Sequence, residues 1–205
     1  MDAHTHLTLD YSGNYNERRL QELDKNISEQ ALDCVPNARA TIEAGFTTVR
    51  DVGSRFSTNS HDCMDVSLRN AINRGIVVGP RMLVATHGIG ATGGHFDPMS
   101  GFRDIALWAR PGLVRRYCRR SDEIRKAVRH EVKNWRRCDQ RQRFRGGVFS
   151  LADEVDTPQY TPPEMAALVD ESHRLRKKVA VHCHGDQAAR EAVAAGVDSI
   201  EHGSF

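Results

Sequence analysis

"KVAVHCHG" (178–185), "DQAAREAVAAG" (186–196) and "DSIEHG" (198–203) follow one another with only Val197 between the last two. Two β-type runs joined by a helix-length segment cannot close as a hairpin, so the strands are expected to run parallel. The same rhythm recurs upstream. "NARATIEAGF" (37–46) is helix-like and closes on Gly45, a residue suited to a helix C-terminus. "TTVRDVG" (47–53) follows as a strand whose polar end is Arg50-Asp51. "MDVSLRNAINRGI" (64–76) is helical, with Val66, Leu68, Ala71 and Ile72 on a rough apolar face, and "GPRMLVAT" (79–86) is a strand introduced by Gly-Pro. From Ser121, Ile124, Val128 and Val132 recur four apart on one helical face. "TPPEMAALVDESHRLRKK" (161–178) opens with Thr161 and Glu164 in capping-box spacing. The chain therefore reads as α/β, built from parallel strand–helix units.

The histidines fall where such a fold does its chemistry. His4 and His6 close "DAHTH", His182 and His184 close "VAVHCH", and His202 closes "SIEH". Residues two apart in a strand share a face, so each pair presents two imidazoles side by side. Neutral imidazole is the commonest protein ligand for divalent transition metals. One such pair alone is weak, since surface histidines are common; two pairs and a fifth histidine at three strand ends are not easily explained that way. His61, His130 and His173 lie on helices or in loops and read as solvated. His87 and His95 lie in the glycine-rich "ATHGIGATGGHFDP", where a flexible loop is the plainer reading and substrate contact the sharper one. The five cysteines show no CxxC spacing, which argues against a disulfide framework or a structural zinc knuckle. No signal-like run follows Met1 and none approaches the ~20 apolar residues of a membrane span, so the chain is expected to be soluble and cytoplasmic.

Several motifs together resemble the amidohydrolase superfamily, in its imidazolonepropionase-like and Xaa-Pro or Xaa-Arg dipeptidase branch. They are "DAHTHL", "AGFTTVRDVGS", "GPRMLV" with "ATGGH", "GGVFS" with "DTPQYTPPEM", "SHRLRKKVAVHCHG" and "AGVDSIEHGSF". The likeness covers nearly the whole chain apart from residues 97–120 and 135–145. It implies a (β/α)8 TIM-type barrel carrying one or two divalent metals, usually zinc, and a metal-activated water that hydrolyses an amide, cyclic amide or dipeptide bond. On that basis His4, His6, His182 and His202 become metal ligands. His184, His95 and Asp2 become substrate or supporting contacts, Asp2 orienting the His4–His6 pair. The expected partner is a small-molecule or dipeptide substrate, with homo-oligomerisation left open. Counting strands, "DAHTH" is the first and "SIEHG" the sixth, so residues 1–205 are expected to form an incomplete barrel, the middle of a protein about twice as long. The aspartate that the family uses as acid/base after the eighth strand is then absent; Asp51 and Asp198 do not match its motif, and the catalytic acid/base is unknown.

One stretch does not fit. Relatives place a buried fourth strand, of the type Gly-Ala-Asp-(Val/Phe)-Ile-Lys, where this chain has "WRRCDQRQRFR" (135–145) with five arginines. The lysine of that strand is carboxylated and bridges two metals in binuclear members. The codons for Trp-Arg-Arg-Cys-Asp-Gln, read one base later, can give Gly-Ala-Asp-Val-Ile, which points to a compensated frameshift. Guanidiniums left unpaired in a buried strand cost several kcal/mol each, against a total stability of about 5–15 kcal/mol. The run is therefore expected to loop out, leave no fourth strand, and make the chain a poor catalyst. Residues 110–145 carry fourteen Lys/Arg against four Asp/Glu, a local +10 that leaves −8 on the rest. That balance raises a different reading, a nucleic-acid-binding protein, but no aromatic platform accompanies the arginines and the strand-end histidines stay unexplained. No nucleic-acid or membrane partner is expected. A third reading is a non-catalytic remnant of the hydrolase.

Overall fold

The computed structural model describes residues 1–9, 17, 24–53, 63–91, 94, 117–118, 120–135, 143–144 and 157–204, with backbone alone at 117–118, 134–135 and 143–144. They divide into two compact units, Met1–His87 and Gly88–Phe205. His95 and most of the arginine run, 136–142 and 145 with its neighbours to 156, lie outside the described residues.

In the first unit, β1 (Asp2–Thr5), β2 (Thr48–Asp51) and β3 (Arg81–Val84) form a parallel sheet in that order. Val49 stands opposite Asp2 and Met82, and Asp51 opposite Thr5 and Val84, so the C-terminal ends of the three strands are level. Two helices connect them, α1 (Ile27–Glu43) and α2 (Met64–Asn73). The helix expected from residue 37 is the second half of α1. Its true start is a capping box: the Asn26 side chain accepts the Ser28 and Glu29 amides, and Glu29 accepts the Asn26 amide. Such a cap contributes about 1 kcal/mol. Pro36 inside α1 removes a main-chain donor and costs roughly 3 kcal/mol, and the buried Cys34 and Ala38 on either side of it help hold the helix in place. Gly45 ends the element at φ +91, a conformation that side chains other than glycine adopt with strain. Gly79 leaves no room for a side chain, because an added Cβ would stand 2.7 Å from Ile72 and 3.0 Å from Ala38. The two helices meet the segment leading into β3 at that point.

The second unit repeats the architecture. β4 (Gly90–Ala91) pairs in parallel with β5 (Tyr117–Cys118). After α3 (Ser121–Trp135) come β6 (Arg143–Phe144), α4 (Pro162–Arg174), β7 (Lys178–Cys183), α5 (Asp186–Ala195) and β8 (Ser199–His202), with a parallel sheet in the order β6-β7-β8. Ile124 and Val128 of α3, Leu168 of α4, Val179, Val181 and Cys183 of β7 and Ala192 of α5 are all buried in one core cluster. The four-residue spacing in α3 is thus the face it buries. α4 starts with the expected capping box, the Thr161 amide donating to Glu164 at 2.8 Å. Among the described residues the strands form these separate parallel sheets and no closed barrel.

Two expectations change here. Residues 143–144 do form a strand, pairing in parallel with Lys178 and Val179, so the arginine run does not wholly loop out. Strand pairing uses the main chain, and two residues at the edge of β7 need no apolar sequence to supply it. The basic face of α3 is also less free than its charge suggested. Arg129 donates to the buried carboxylate of Glu171 on α4 at 2.7 and 3.2 Å, and Arg125 bonds both Asp170 and Glu171. Hydrogen bonding to Arg129 is the main reason the Glu171 carboxyl is held below its usual range. No helix among the described residues is long and apolar enough to cross a membrane.

Candidate metal centre

In the second unit, β7 and β8 run in register with Val181 opposite Ile200, His182 opposite Glu201 and Cys183 opposite His202. That register brings His182, His184 and His202 together. Their ring centroids are 4.3 Å apart for 182–202, 4.7 Å for 184–202 and 5.0 Å for 182–184. One nitrogen from each lies within 4.8 Å of the other two. His182 is buried, His184 half-buried and His202 exposed, so the cluster opens from the core to the surface. His202 has φ +73, an uncommon conformation for a residue with a side chain. The turn is tied by Gly203, whose amide donates to the Cys183 carbonyl at 2.9 Å. The His184 ring is fixed through Nδ1, 3.0 Å from the Ser204 hydroxyl. Cys183, between the first two histidines, is not part of the cluster. It points the other way into the core, donates to the Gly185 carbonyl, and burial pushes its thiol further up.

The first unit carries the other pair. His4 and His6 have ring centroids 5.2 Å apart. His6 Nδ1 lies 3.1 Å from the Gly53 carbonyl oxygen. A carbonyl only accepts, so Nδ1 bears the proton and Nε2 keeps its lone pair, the tautomer a metal ligand needs. Asp51, fully buried at the end of β2, builds this support: its carboxylate accepts the Leu7 amide at 2.7 Å and the Gly53 amide at 3.1 Å. Asp2 acts on the main chain rather than on a ring, accepting the His4 amide at 2.9 Å.

Other polar residues sort themselves by what they touch. His87, expected in a flexible loop, is buried beside Cys63, whose sulfur is 3.9 Å from His87 Nδ1. Its neighbour Thr86 sits at φ +62, and Asp65 of α2 accepts the Thr86 amide at 2.8 Å to hold it there. Burial pushes the Asp65 carboxyl above its usual range, against the pull of His87. None of this was legible beyond an acidic residue in a first helical turn. His173 is not merely solvated, since its Nε2 is 2.9 Å from Asp198. Asp198 also takes bonds from Lys178 Nζ at 2.6 Å and the Val179 amide at 2.8 Å. Burial raises its carboxyl, but those bonds outweigh the effect and hold it at about 2. Asp198 precedes β8 and grips the start of β7, the opposite ends of both strands from the histidines. It ties the sheet together and is remote from the cluster.

The residues present suit a transition metal: every donor is an imidazole, and one ring in each unit is oriented by a hydrogen bond through its other nitrogen. The model for the amidohydrolase family matches residues 1–205. The chain belongs to the amidohydrolase family. The crystal structure of a Xaa-Pro dipeptidase with bound methionine in the active site is 33% identical, with a TM-score of 0.79, covering 100% of this chain and 48% of that one. The structure of a prolidase complexed with N-methylphosphonate-L-proline is 29% identical at a TM-score of 0.75, covering 100% and 47%. Ochratoxinase from Aspergillus niger is 28% identical over 174 residues, 80% of this chain and 34% of that protein. This amidohydrolase chain thus spans about half the length of the similar solved structures and a third of the curated relative.

Proposed function

We propose that this amidohydrolase is a metal-dependent hydrolase of carbon–nitrogen bonds in dipeptides or other small amides. The observation that carries the reading is the gathering of imidazoles at the C-terminal ends of β7 and β8 in a chain matched by the family from end to end. Those strand ends are where barrel enzymes of this type keep their reactive groups. On the family likeness, His182 and His202 of the second unit and His4 and His6 of the first are metal ligands. Zinc is the ion this donor set suits best on family grounds, although imidazole also accepts nickel, cobalt, manganese and iron. A bound divalent ion supplies an acidified water and a polarised carbonyl.

The chain's own residues supply orientation. Asp51 fixes Gly53, and the Gly53 carbonyl fixes the proton on His6 Nδ1. The β7–β8 register sets His182 beside His202. No acid/base is assigned: Asp51 is committed to two amides and Asp198 to the far end of its strand. No lysine lies between Lys133 and Lys177, so the bridging carboxylated lysine implied by the family likeness has no counterpart. The site in this chain is accordingly read as one without that bridge, and as slow. Substrates with proline second in a dipeptide are the first to try, since two of the similar structures are named for that specificity.

The test is proline release from Xaa-Pro dipeptides by zinc- or manganese-loaded protein, with His182→Ala and His202→Ala prepared identically. Slow turnover that the parent shows, and that both variants and a chelator abolish, is expected. Equal turnover by His182→Ala would overturn the reading.

A further inference from the structure

We infer that Asn37 is a positioning residue for His6: its carboxamide holds the turn that follows β1 and so sets where the imidazole stands. The inference rests on the metal-dependent reading above, in which His6 is a ligand, and adds to it a residue from α1. β1 ends at Thr5, so the sheet places His4, whereas His6 lies just past it. What places His6 is the turn His6–Leu9, closed by the Leu9 amide donating to the His6 carbonyl at 3.2 Å. That one bond closes the turn but does not fix its tilt against the sheet. Two side chains from other elements do. Asp51 of β2 accepts the Leu7 amide at 2.7 Å. Asn37 of α1 donates from Nδ2 to the carbonyls of Leu7 and Leu9, both at 3.0 Å.

The chemistry of each support matches its target. A carboxamide nitrogen carries two hydrogens, so Nδ2 can give one to each carbonyl, and the two acceptors decide which end of the amide faces the turn. A carboxylate in the same place could only accept, and would meet two carbonyl oxygens. The position of Asn37 in α1 supports the same role. Cys34, Asn37, Ala38 and Thr41 have the i, i+3, i+4, i+7 spacing of one helical face, on which Cys34 and Ala38 are buried. An apolar residue would be ordinary on that stripe, and the two carbonyls account for a polar one. The effect reaches the ring through Gly53, whose carbonyl oxygen lies 3.1 Å from His6 Nδ1. That bond lasts only while the turn keeps the imidazole against Gly53. Its two ends are held from different elements, Gly53 by Asp51 at 3.1 Å and the turn behind His6 by Asn37.

The test compares the full chain with Asn37→Asp, Asn37→Ala and Thr41→Val by long-range 15N spectra, first metal-free and then titrated with zinc. Asn37→Asp keeps the size of the side chain and removes both donors. Asn37→Ala leaves the carbonyls to water at this half-buried place, and reads the same signals should Asn37→Asp not fold. Thr41→Val is the control: the Thr41 hydroxyl donates to the Asn37 carbonyl at 2.7 Å, so its loss weakens α1 without touching the turn. Metal-free, His6 is expected to be protonated at Nδ1 in the parent and in Thr41→Val, and to show a mixture of tautomers in both Asn37 variants. The zinc concentration at which the His6 ring nitrogens shift should rise ~10-fold in those variants, the usual effect of losing a support behind a ligand. A parent-like His6 spectrum or zinc response in the Asn37 variants would overturn the inference. An equal effect in Thr41→Val would overturn it too, by making helix stability the cause. A parent that binds no zinc overturns the metal-dependent reading instead, and the metal-free tautomers still decide whether Asn37 holds His6.

Discussion

Asp51 shows how one side chain can prepare a site it does not enter. Its carboxylate is fully buried and accepts the amides of Leu7, just past the His4–His6 pair, and of Gly53, whose carbonyl orients His6. A buried donor left unsatisfied costs about 1–3 kcal/mol. Asp51→Ala strands two of them, so a loss of about 2–4 kcal/mol is expected in the unfolding free energy of the first unit, read by denaturant titration. Asp51→Asn can accept one amide but turns its own NH2 towards the other, and should fall between. The same variants should lose the Nδ1-protonated signature of His6 in long-range 15N spectra. An unfolding free energy for Asp51→Ala within about 0.5 kcal/mol of the parent, the scatter of a neutral surface change, would sink the argument. The sequence marked Asp51 only as the polar end of a strand. What it could not reveal is that the carboxylate faces inward, because that depends on β1 lying beside β2 in a register nothing local specifies.

At the scale of elements, the parts readable in advance were those whose signal is local. The apolar spacing of Ile124, Val128 and Val132, the Thr161–Glu164 cap and the run "KVAVHC" each carry their own reason to be helix or strand, and each is found so. The first turns of α1 were hidden by Pro36, which reads as a breaker although Asn26 and Glu29 had already nucleated the helix. β6 was hidden for a different reason: Arg143 and Phe144 are a strand only because β7 offers them a partner edge. The start of the β7–β8 pair yields a second prediction. The Asp198 carboxyl is held at about 2 against an ordinary 3.8, on a residue that solvent reaches. A depressed folded pKa means stability that is present above pH ~4 and lost as pH falls towards 2. With solvent screening the bonds at this exposed residue, the difference is worth on the order of 1 kcal/mol. Asp198→Asn should therefore cost that much near neutrality and flatten the acid limb of the stability profile between pH 4 and 2. An unchanged acid limb would mean Lys178 and His173 do not hold the carboxylate in solution.

The described residues form two parallel-sheet units, each with histidines at the C-terminal ends of its strands, and metal binding can be read in each separately. Ligand binding to the native state stabilises it by RT ln(1 + [L]/Kd), about 2.7 kcal/mol at a hundredfold excess over Kd. Metal should therefore raise the stability of the structure that holds it, and a chelator should reverse the gain. Because the two units need not unfold together, a single melting temperature is a poor readout; hydrogen exchange resolved by segment is a better one. If the second unit's histidines suffice, zinc will slow exchange across 178–204 and leave 2–9 and 47–53 as they were. If His4 and His6 bind metal as well, residues 2–9 and 47–53 will also gain protection and lose it on chelation. The family likeness favours the second outcome, since it draws ligands from the first, fifth and sixth strands. The geometry of the first unit favours it too, since Gly53 and Asp51 already hold His6 in the tautomer a ligand needs. The two outcomes differ in which peptides respond to the metal, so a single experiment with zinc and its chelator decides between them.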